Sequence, residues 1–364
     1  MLDRLKLRAE QKQISKIRKE LYKKPQLATL FFELTDACNM ACLHCGSRAC
    51  PENNRYIAPA TIKKVLGEVK DAYGTDGILI CFTGGEPLLH PDFYELVRYA
   101  TDMGFGCGMT TNGVLIDGQT AGKLKMCGVR SVSVSVDGLA ESHDWFRGRK
   151  GAYERAVRGV TELVRVGGIY TQVTTVVHKK NIDELEAVLV AVTEIGAHSF
   201  RPVCIDPIGR ALTHDELMLS GDEHKRLLDF IEEKRRRDDV GIDVTYGCSH
   251  YLGDKYERKL RDHVFFCGAG LTVAGILCNG DIFACLDIAR HERLIQGNAE
   301  KDNFVSVWEN GFKEFRRDKS ELCKKCSECK ERKFCAGDSG HTWDYENNEP
   351  LLCMKEKLDG VKSR

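Results

Sequence analysis

The chain has 364 residues, and its 42% hydrophobic content is enough for one large α/β domain and a smaller one. Its 54 lysines and arginines balance its 54 aspartates and glutamates, so no net field draws it toward nucleic acid or an anionic membrane. No apolar run is long enough to span a bilayer, and charges interrupt any signal-peptide core, so we expect a cytoplasmic protein without a membrane span.

The first predicted element is an amphipathic helix within residues 1–27. Leu7, Ile14, Ile17 and Leu21 recur near helical spacing there, and basic residues outnumber acidic ones. We expect this helix to pack on the rest of the protein, with docking of a partner or peptide as the alternative role.

Six short apolar runs follow as predicted strands: ATLFFELT, GILICFTG, FGCGMTTNG, VRSVSVSVDG, YTQVTTVVH and HSFRPVCI. Helical patterns separate them; Ile62, Val65, Leu66 and Val69, for example, recur at i, i+3, i+4 and i+7. This alternation predicts a parallel sheet of right-handed βαβ units. Six units are too few for a closed eight-stranded barrel, so the predicted fold class is α/β, with a partial (β/α)6 TIM-like barrel over residues 28–215.

Several of these strands end in polar and glycine-rich segments. The second ends in TGGEP, the third in TTNG and the fourth in SVDG. Any one of them is explained as an ordinary turn, because glycine, asparagine and aspartate are usual turn residues. Since ligands bind at the carboxyl ends of parallel strands, the three endings together predict one site at that edge.

A cysteine array follows the first strand directly. Cys38, Cys42 and Cys45 form a C-x3-C-x2-C pattern, and the chain holds 17 cysteines in all. In a reducing compartment such clusters point to metal or redox chemistry rather than disulfides. Three cysteines fall one short of a structural zinc site unless His44 supplies the fourth ligand, whereas on a four-iron cubane they would leave one iron open. The cysteines lie in a loop that leaves a buried strand, and this position favours a cofactor site over a structural zinc site.

The array, with the aromatic His44 before its last cysteine and with GGEP at the second strand, resembles the radical S-adenosylmethionine (SAM) superfamily. The resemblance implies that Cys38, Cys42 and Cys45 ligate three irons of a [4Fe–4S] cluster and that the methionine part of SAM chelates the fourth. The reduced cluster would then pass an electron to the sulfonium, giving a 5′-deoxyadenosyl radical that takes hydrogen from the substrate. A flavodoxin or ferredoxin is the expected electron donor, and no catalytic acid or base is identified.

The same resemblance assigns residues to SAM binding at the GGEP turn. Gly84 and Gly85 would allow close backbone approach, so that main-chain groups and Glu86 fix the methionine ammonium, and Pro87 would stiffen the turn. Asn112, at the end of the third strand, joins this set.

The SVDG strand end supplies the remaining residues of the implied SAM site. Ser135 and Arg147 have the spacing of residues that hold the ribose and the methionine carboxylate in relatives, and Asp137 lies between them. The planar fork of an arginine suits a carboxylate, although a solvated surface arginine is the alternative for Arg147.

A second group of cysteines lies in residues 263–364, after a predicted helical bridging segment at residues 216–262. Its spacing resembles the SPASM extension, which holds auxiliary iron–sulfur clusters. The resemblance implies that one [4Fe–4S] cluster is ligated by Cys326, Cys329, Cys335 and Cys353, and that another is served by Cys267 and Cys285. A zinc ribbon is the structural alternative, but it would have too many close ligands for one tetrahedral site.

One position departs from the SPASM pattern. Ser339 stands where a cysteine is expected, with three residues between it and Cys335. The possible substitutes are Cys278, Cys323, Asp338 and His341. Alternatively, that cluster is altered, open to substrate or absent, so we expect one or two auxiliary clusters.

SPASM proteins mostly modify peptides or proteins, so the expected substrate is a peptide or small protein. The segments RPVCIDPIGRA and CAGDSGHTWD resemble maturases found beside small lipoproteins. An enzyme of tetrapyrrole or other cofactor biosynthesis is the alternative, and a non-enzymatic metal-binding scaffold is the alternative from another class. About 28 residues precede the first strand, too few for a leader-binding winged-helix domain, so we expect a leader to bind elsewhere.

Overall fold

The structure is a computed structural model that describes residues 2–237, 240–247 and 250–360. Ten strands in this part of the chain form one sheet: β1 (Thr29–Glu33), β2 (Leu79–Thr83), β3 (Gly106–Thr111), β4 (Val129–Ser135), β5 (Tyr170–Val177), β6 (Ser199–Cys204), β7 (Asp243–Val244), β8 (Val273–Ile276), β9 (Asp281–Phe283) and β10 (Gly297–Asn298). Their order across the sheet is β10-β9-β8-β1-β2-β3-β4-β5-β6-β7. A separate antiparallel pair joins β11 (Trp343–Asp344) to β12 (Glu349–Pro350).

The first six strands confirm the predicted partial barrel. Each lies within one of the six apolar runs, and neighbouring strands from β1 to β6 are all parallel. The register places Phe32 of β1 opposite Phe82 of β2, and both side chains are completely buried. Parallel strands bring their carboxyl ends to one edge, where the cysteine loop and the three glycine-rich endings meet.

The α-helices of the described residues are α1 (Leu2–Lys23), α2 (Pro59–Tyr73), α3 (Phe93–Asp102), α4 (Gly118–Met126), α5 (Ala140–Arg147), α6 (Ala152–Val166), α7 (Leu185–Glu194), α8 (Gly221–Arg235), α9 (Gly253–Tyr256), α10 (Phe304–Asn310), α11 (Lys324–Ser327), α12 (Arg332–Cys335) and α13 (Met354–Asp359). Short 3-10 segments cover Pro87–Leu89, Ile182–Glu184, Gly209–Thr213, Asp215–Leu217, Glu292–Leu294 and Lys319–Glu321. The predicted apolar face of α2 is buried against the sheet core. Within these residues, no helix combines the length and apolar character that a bilayer span requires.

The sheet extends beyond the six predicted strands on both sides. Strand β8, from the cysteine-rich C-terminal part, pairs in parallel with β1 and places Val273 opposite Thr29. Strands β9 and β10 continue that side in antiparallel fashion. On the other side, β7 pairs with β6, so residues 216–262 contain a strand as well as the predicted helices. The C-terminal part is therefore joined to the barrel as a continuation of the same sheet.

Helix α1 confirms the predicted N-terminal helix and packs against the C-terminal part of the chain. Leu7 and Leu21 are buried, but Ile17 is 42% exposed, so its predicted place on the apolar face is wrong. Arg18 lies on the buried face instead and donates a hydrogen bond to the carbonyl of Phe334 at 2.9 Å. The buried face of α1 therefore differs from the predicted one. It can include Arg18 because a long polar side chain can bury its aliphatic stem while its charged end forms a hydrogen bond.

Candidate functional site

A cavity of about 360 Å³ lies at the carboxyl edge of the barrel strands. It brings together nine of the residues predicted from the sequence, namely Cys38, Cys42, His44, Cys45, Gly84, Gly85, Asn112, Ser135 and Arg147. Glu86, Pro87 and Asp137 do not line it, although they adjoin residues that do. The cavity also reaches the C-terminal part of the chain, which contributes Leu286, Asp287, Arg290 and His341.

The glycines of the GGEP turn let the cysteine loop approach the end of β2. The amide of Gly85 donates to the carbonyl of Thr35 at 2.7 Å. Gly84 has φ +151°, and a Cβ there would lie 2.6 Å from the same carbonyl. A methyl group on Gly85 would overlap the carbonyl of Ala37. Both glycines are therefore required for this backbone contact, whether or not a ligand is bound.

The substitution Gly85→Ala is expected to lower the free energy of unfolding by about 1–3 kcal/mol, because the neighbouring backbone must move to admit the methyl group. The same movement displaces the loop that carries Cys38, so we expect less iron bound after reconstitution. Urea denaturation and iron analysis measure the two effects.

The matched control is Gly67→Ala in α2, where a Cβ would meet no atom within 4 Å. This variant is expected to gain about 1 kcal/mol, since alanine is the better helix former. Equal stability of the two variants would contradict the role assigned to Gly85.

Glu86 is completely buried and is bound by protein groups. Its carboxylate accepts hydrogen bonds from the Thr111 hydroxyl at 2.8 and 2.9 Å, from the Asn112 amide at 3.0 Å and from the Leu88 amide at 3.3 Å. Burial raises its pKa to about 7, against the opposing effect of these bonds. Glu86 thus fixes the end of β3 to the GGEP turn, where Pro87 begins a 3-10 segment. A contact with the methionine ammonium stays a prediction.

Asp137 and Arg147 form a buried ion pair beside the cysteine loop. Arg147 Nε lies 2.5 Å from Asp137 Oδ2, and the Val176 amide donates to Asp137 Oδ1 at 2.8 Å. Burial would raise the pKa of Asp137, but the Arg147 guanidinium outweighs it and holds the pKa below its usual value. Arg147 Nη1 also lies 3.6 Å from Cys42 Sγ. Arg147 therefore connects the end of β4 to the cysteine loop, and the alternative of a solvated surface arginine is wrong.

Two further predicted residues contact the cysteine loop or its surroundings. Asn112 Nδ2 donates to Asn39 Oδ1 at 2.6 Å and lies 3.8 Å from Cys38 Sγ. The ring of His44 stacks on Phe146 with centroids 4.2 Å apart, and its buried Nδ1 has no hydrogen-bond partner among the described residues. A polar atom left in this way beside a cavity suits a site that receives a polar ligand.

The donor set of the array fits an iron–sulfur cluster better than a single ion. Cys38 and Cys42 are buried, and burial, together with the charge of Cys42, raises the pKa of Cys38 to about 12. In the described residues, two groups have three ligand atoms all within 4.8 Å of one another, and neither contains Cys38, Cys42 or Cys45. Thiols spaced more widely than the ligands of one ion suit a cluster that binds each thiolate through a different iron.

Three cysteines of the predicted outer auxiliary set lie close together. Burial, together with the neighbouring Cys323 and Cys353, raises the pKa of Cys326 to about 12. Burial also raises the pKa of Cys335, with Asp338, Cys353 and Cys326 adding to the effect. Cys323 adjoins this set, and ligation of a cluster by Cys326, Cys329, Cys335 and Cys353 stays a prediction.

The inner pair, Cys267 and Cys285, lies beside the segment that contains Ser339. Gly340 donates its amide to Cys267 Sγ at 3.4 Å, and His341 Nε2 lies 3.7 Å from Cys285 Sγ. The other proposed substitutes have different neighbours: Cys323 is with the outer set, Cys278 is beside Glu33, and Asp338 binds the Tyr251 amide. Of the four substitutes, His341 contacts Cys285 of the inner pair.

Arg201 is a residue of the cavity that the sequence analysis missed. It lies in β6, lines the cavity, and has a buried Nε without a hydrogen-bond partner among the described residues. A charged residue in the middle of the apolar run HSFRPVCI was the signal that could have identified it. Its side chain adds a cation suited to a carboxylate group.

Comparisons with known proteins agree with this geometry. Residues 32–192 match the family model of the radical SAM superfamily, and residues 267–330 match that of the SPASM iron–sulfur cluster-binding domain. An AdoMet-dependent heme synthase of Methanosarcina barkeri is 30% identical over 345 residues, covering 89% of this chain and 95% of its own length. Mycofactocin maturase MftC of Mycolicibacterium smegmatis is 32% identical over 315 residues, covering 85% of this chain and 76% of its own.

Among solved structures, SuiB of Streptococcus suis shares the fold at 18% identity. Its complex with S-adenosylmethionine has a TM-score of 0.71 and covers 86% of this chain and 73% of its own. Its complex with the precursor peptide SuiA has a TM-score of 0.68 and covers 88% of this chain and 73% of its own. With two relatives named as enzymes matching most of its length, this chain belongs to the radical SAM superfamily as an enzyme with a SPASM domain, using S-adenosylmethionine and iron–sulfur clusters.

Proposed function

We propose that this enzyme takes a hydrogen atom from a peptide or protein and so performs a post-translational modification. The observation that carries the proposal is the cavity of about 360 Å³, whose wall joins the cysteine array to the C-terminal part of the chain. Similarity to the maturase MftC and a fold shared with SuiB, which binds a precursor peptide, support it.

The volume of the cavity favours a substrate that enters only in part. Ligand pockets for drug-sized molecules have volumes of roughly 300–1,000 Å³, and S-adenosylmethionine is a molecule of that size. The cavity must also hold the cluster that Cys38, Cys42 and Cys45 would bind, so we expect a substrate that inserts only one group while its main body stays outside. A peptide or a protein segment meets this condition directly.

The chain's own residues would hold and orient the cofactors. When bound and reduced, the cluster supplies the electron that releases a 5′-deoxyadenosyl radical from S-adenosylmethionine. Cys38, Cys42 and Cys45 would hold the cluster, while the backbone at Gly84 and the free edge of Arg147 face the methionine part. Cys38, Cys42 and Arg147 are buried, which would limit the access of water to the reacting atoms. We propose a flavodoxin or ferredoxin as the electron donor.

A tetrapyrrole substrate is the second candidate. The heme synthase similarity extends over 95% of that protein's length, and Arg201 and Arg290 in the cavity wall suit substrate carboxylates. A flat macrocycle is much wider than one side chain, so we expect such a substrate to insert one edge into the cavity.

Isotope transfer distinguishes the two candidates. The anaerobically reconstituted enzyme is reduced with dithionite and given S-adenosylmethionine with either a uniformly deuterated peptide mixture or a deuterated tetrapyrrole precursor of heme. Deuterium in the 5′-deoxyadenosine product from the peptide mixture supports the proposal, and deuterium from the tetrapyrrole alone would replace it with the second candidate. A C38A/C42A/C45A variant is the control and should release no 5′-deoxyadenosine.

A further inference from the structure

Three side chains in the cavity wall have the spacing of ligands around one metal ion. The ligand atoms of Cys285, Asp287 and His341 all lie within 4.8 Å of one another, and Cys285 Sγ is 3.7 Å from His341 Nε2. Cys285 and His341 are buried, whereas Asp287 is exposed. A thiolate, an imidazole and a carboxylate form a mixed set that divalent transition metals accept.

The three residues leave one side of the group open. Asp287 and His341 line the cavity of about 360 Å³ that also contains the cysteine array, and Cys285 adjoins them. In metal sites that act on substrates, three protein ligands leave a further coordination position for water or a substrate atom. Here that position faces the cavity.

The surroundings of Cys267 do not favour a second auxiliary cubane at the inner pair. Cys267 lines a separate cavity of about 30 Å³ together with Lys319. Lys319 is buried, and its Nζ donates to the carbonyl of Asp338 at 3.1 Å, so these two residues already occupy the space beside this thiol. Ser339 supplies no thiolate, and its hydroxyl accepts a hydrogen bond from the His341 amide at 3.1 Å. This bond shapes the turn that presents His341 to Cys285.

A second group of similar composition consists of Cys204, Asp206 and His250. In this group the imidazole is already paired with carboxylates of the protein. His250 Nε2 lies 3.0 Å from Asp206 Oδ1, and His250 Nδ1 lies 3.7 Å from Asp338 Oδ2. The imidazole between two carboxylates supplies the positive charge of that group. His341 has Asp287 within 4.8 Å, and the carboxylate of Asp206 interacts with it electrostatically from the neighbouring group.

We propose that Cys285, Asp287 and His341 bind a single divalent transition-metal ion, such as Zn²⁺ or Fe²⁺, with one coordination position open to the cavity. The enzyme then carries the radical SAM cluster, one auxiliary cluster at the outer cysteine set, and this mononuclear site. The ion would lie next to the substrate entrance, where it is able to bind a substrate atom.

Metal analysis tests this proposal without any turnover. The fully reconstituted enzyme is dialysed against EDTA, incubated with Zn²⁺ and freed of excess metal, and zinc, iron and sulfide are counted per chain. We expect one zinc and about eight irons in the wild type, the iron count following from two cubanes. In His341→Ala and in Asp287→Ala we expect zinc to be lost or bound about tenfold or more weakly, with iron unchanged.

Because Asp287 is exposed, Asp287→Ala should fold normally, so it tests the site even if His341→Ala folds poorly. His214→Ala is the matched control, because His214 is a surface residue paired with Glu216 at 3.0 Å, and it should keep the zinc. The proposal is overturned if the wild type binds no zinc, if both variants bind it as the wild type does, or if the wild type holds about twelve irons. None of these results depends on whether the substrate is a peptide.

Discussion

Replacing Arg147 by methionine is expected to lower the free energy of unfolding by about 3–5 kcal/mol and to abolish 5′-deoxyadenosine formation. The substitution leaves Asp137 buried without its partner, with a side chain that is completely inaccessible to solvent. It also removes the guanidinium that lies 3.6 Å from Cys42 Sγ. Urea denaturation and product analysis of the reconstituted variant measure the two effects separately.

Arg165→Met is the matched control for this experiment. Arg165 pairs with Glu162 at 2.6 Å, but its side chain is 66% exposed, so its loss should cost at most about 1 kcal/mol. Adding Asp137→Asn to Arg147→Met should restore part of the lost stability, because the uncompensated buried charge is then gone. If Arg147→Met were as stable as Arg165→Met, the buried pair would not have the importance assigned to it.

Periodicity and length predicted the barrel strands because each is a run of five to eight residues in the structure. The same reasoning could not predict β7 or β10, since a strand of two residues has no detectable alternation. Nor could it predict that β8 pairs with β1, because the paired residues Phe32 and Ile276 lie far apart in the chain. Pairing between distant segments is decided by the three-dimensional packing of their side chains.

Motif spacing identified most of the cavity residues, but not the partners of their side chains. Glu86 and Thr111 are 25 residues apart, and Asp137 and the Val176 amide are 39 apart, so their bonds follow only from the strand order. Arg201 was missed because it is a single charged residue within a strand and belongs to no recognisable motif. The contact between His341 and Cys285 depends on the turn at Ser339, whose conformation the sequence does not reveal.

The extended sheet gives the C-terminal part a direct role in the cavity. Because β8 lies beside β1, the segment after β9 reaches the same edge as the cysteine loop. Arg290 from that segment binds Glu33 at the end of β1 at 2.6 Å. The wall of the cavity is therefore formed by both the barrel and the SPASM domain.

His224→Leu is expected to make the protein less sensitive to acid. Burial lowers the pKa of His224 to about 4, against the opposing effect of the Ser220 carbonyl, and its buried Nε2 has no hydrogen-bond partner among the described residues. As the pH falls below the ordinary histidine value of about 6.5, the unfolded chain takes up a proton that the folded one refuses until about pH 4. The wild type should therefore lose about 3 kcal/mol of stability over this range through His224.

The leucine variant lacks this titration, so its unfolding free energy relative to the wild type should rise by about 3 kcal/mol between pH 7 and pH 4. The lost hydrogen bond to Ser220 is a constant offset at both pH values, and acid damage to the clusters affects both proteins alike. His214→Leu, which changes a surface histidine, should follow the wild type at each pH in urea denaturation. Parallel stability curves for His224→Leu and the wild type would mean that His224 becomes protonated in the folded protein without cost.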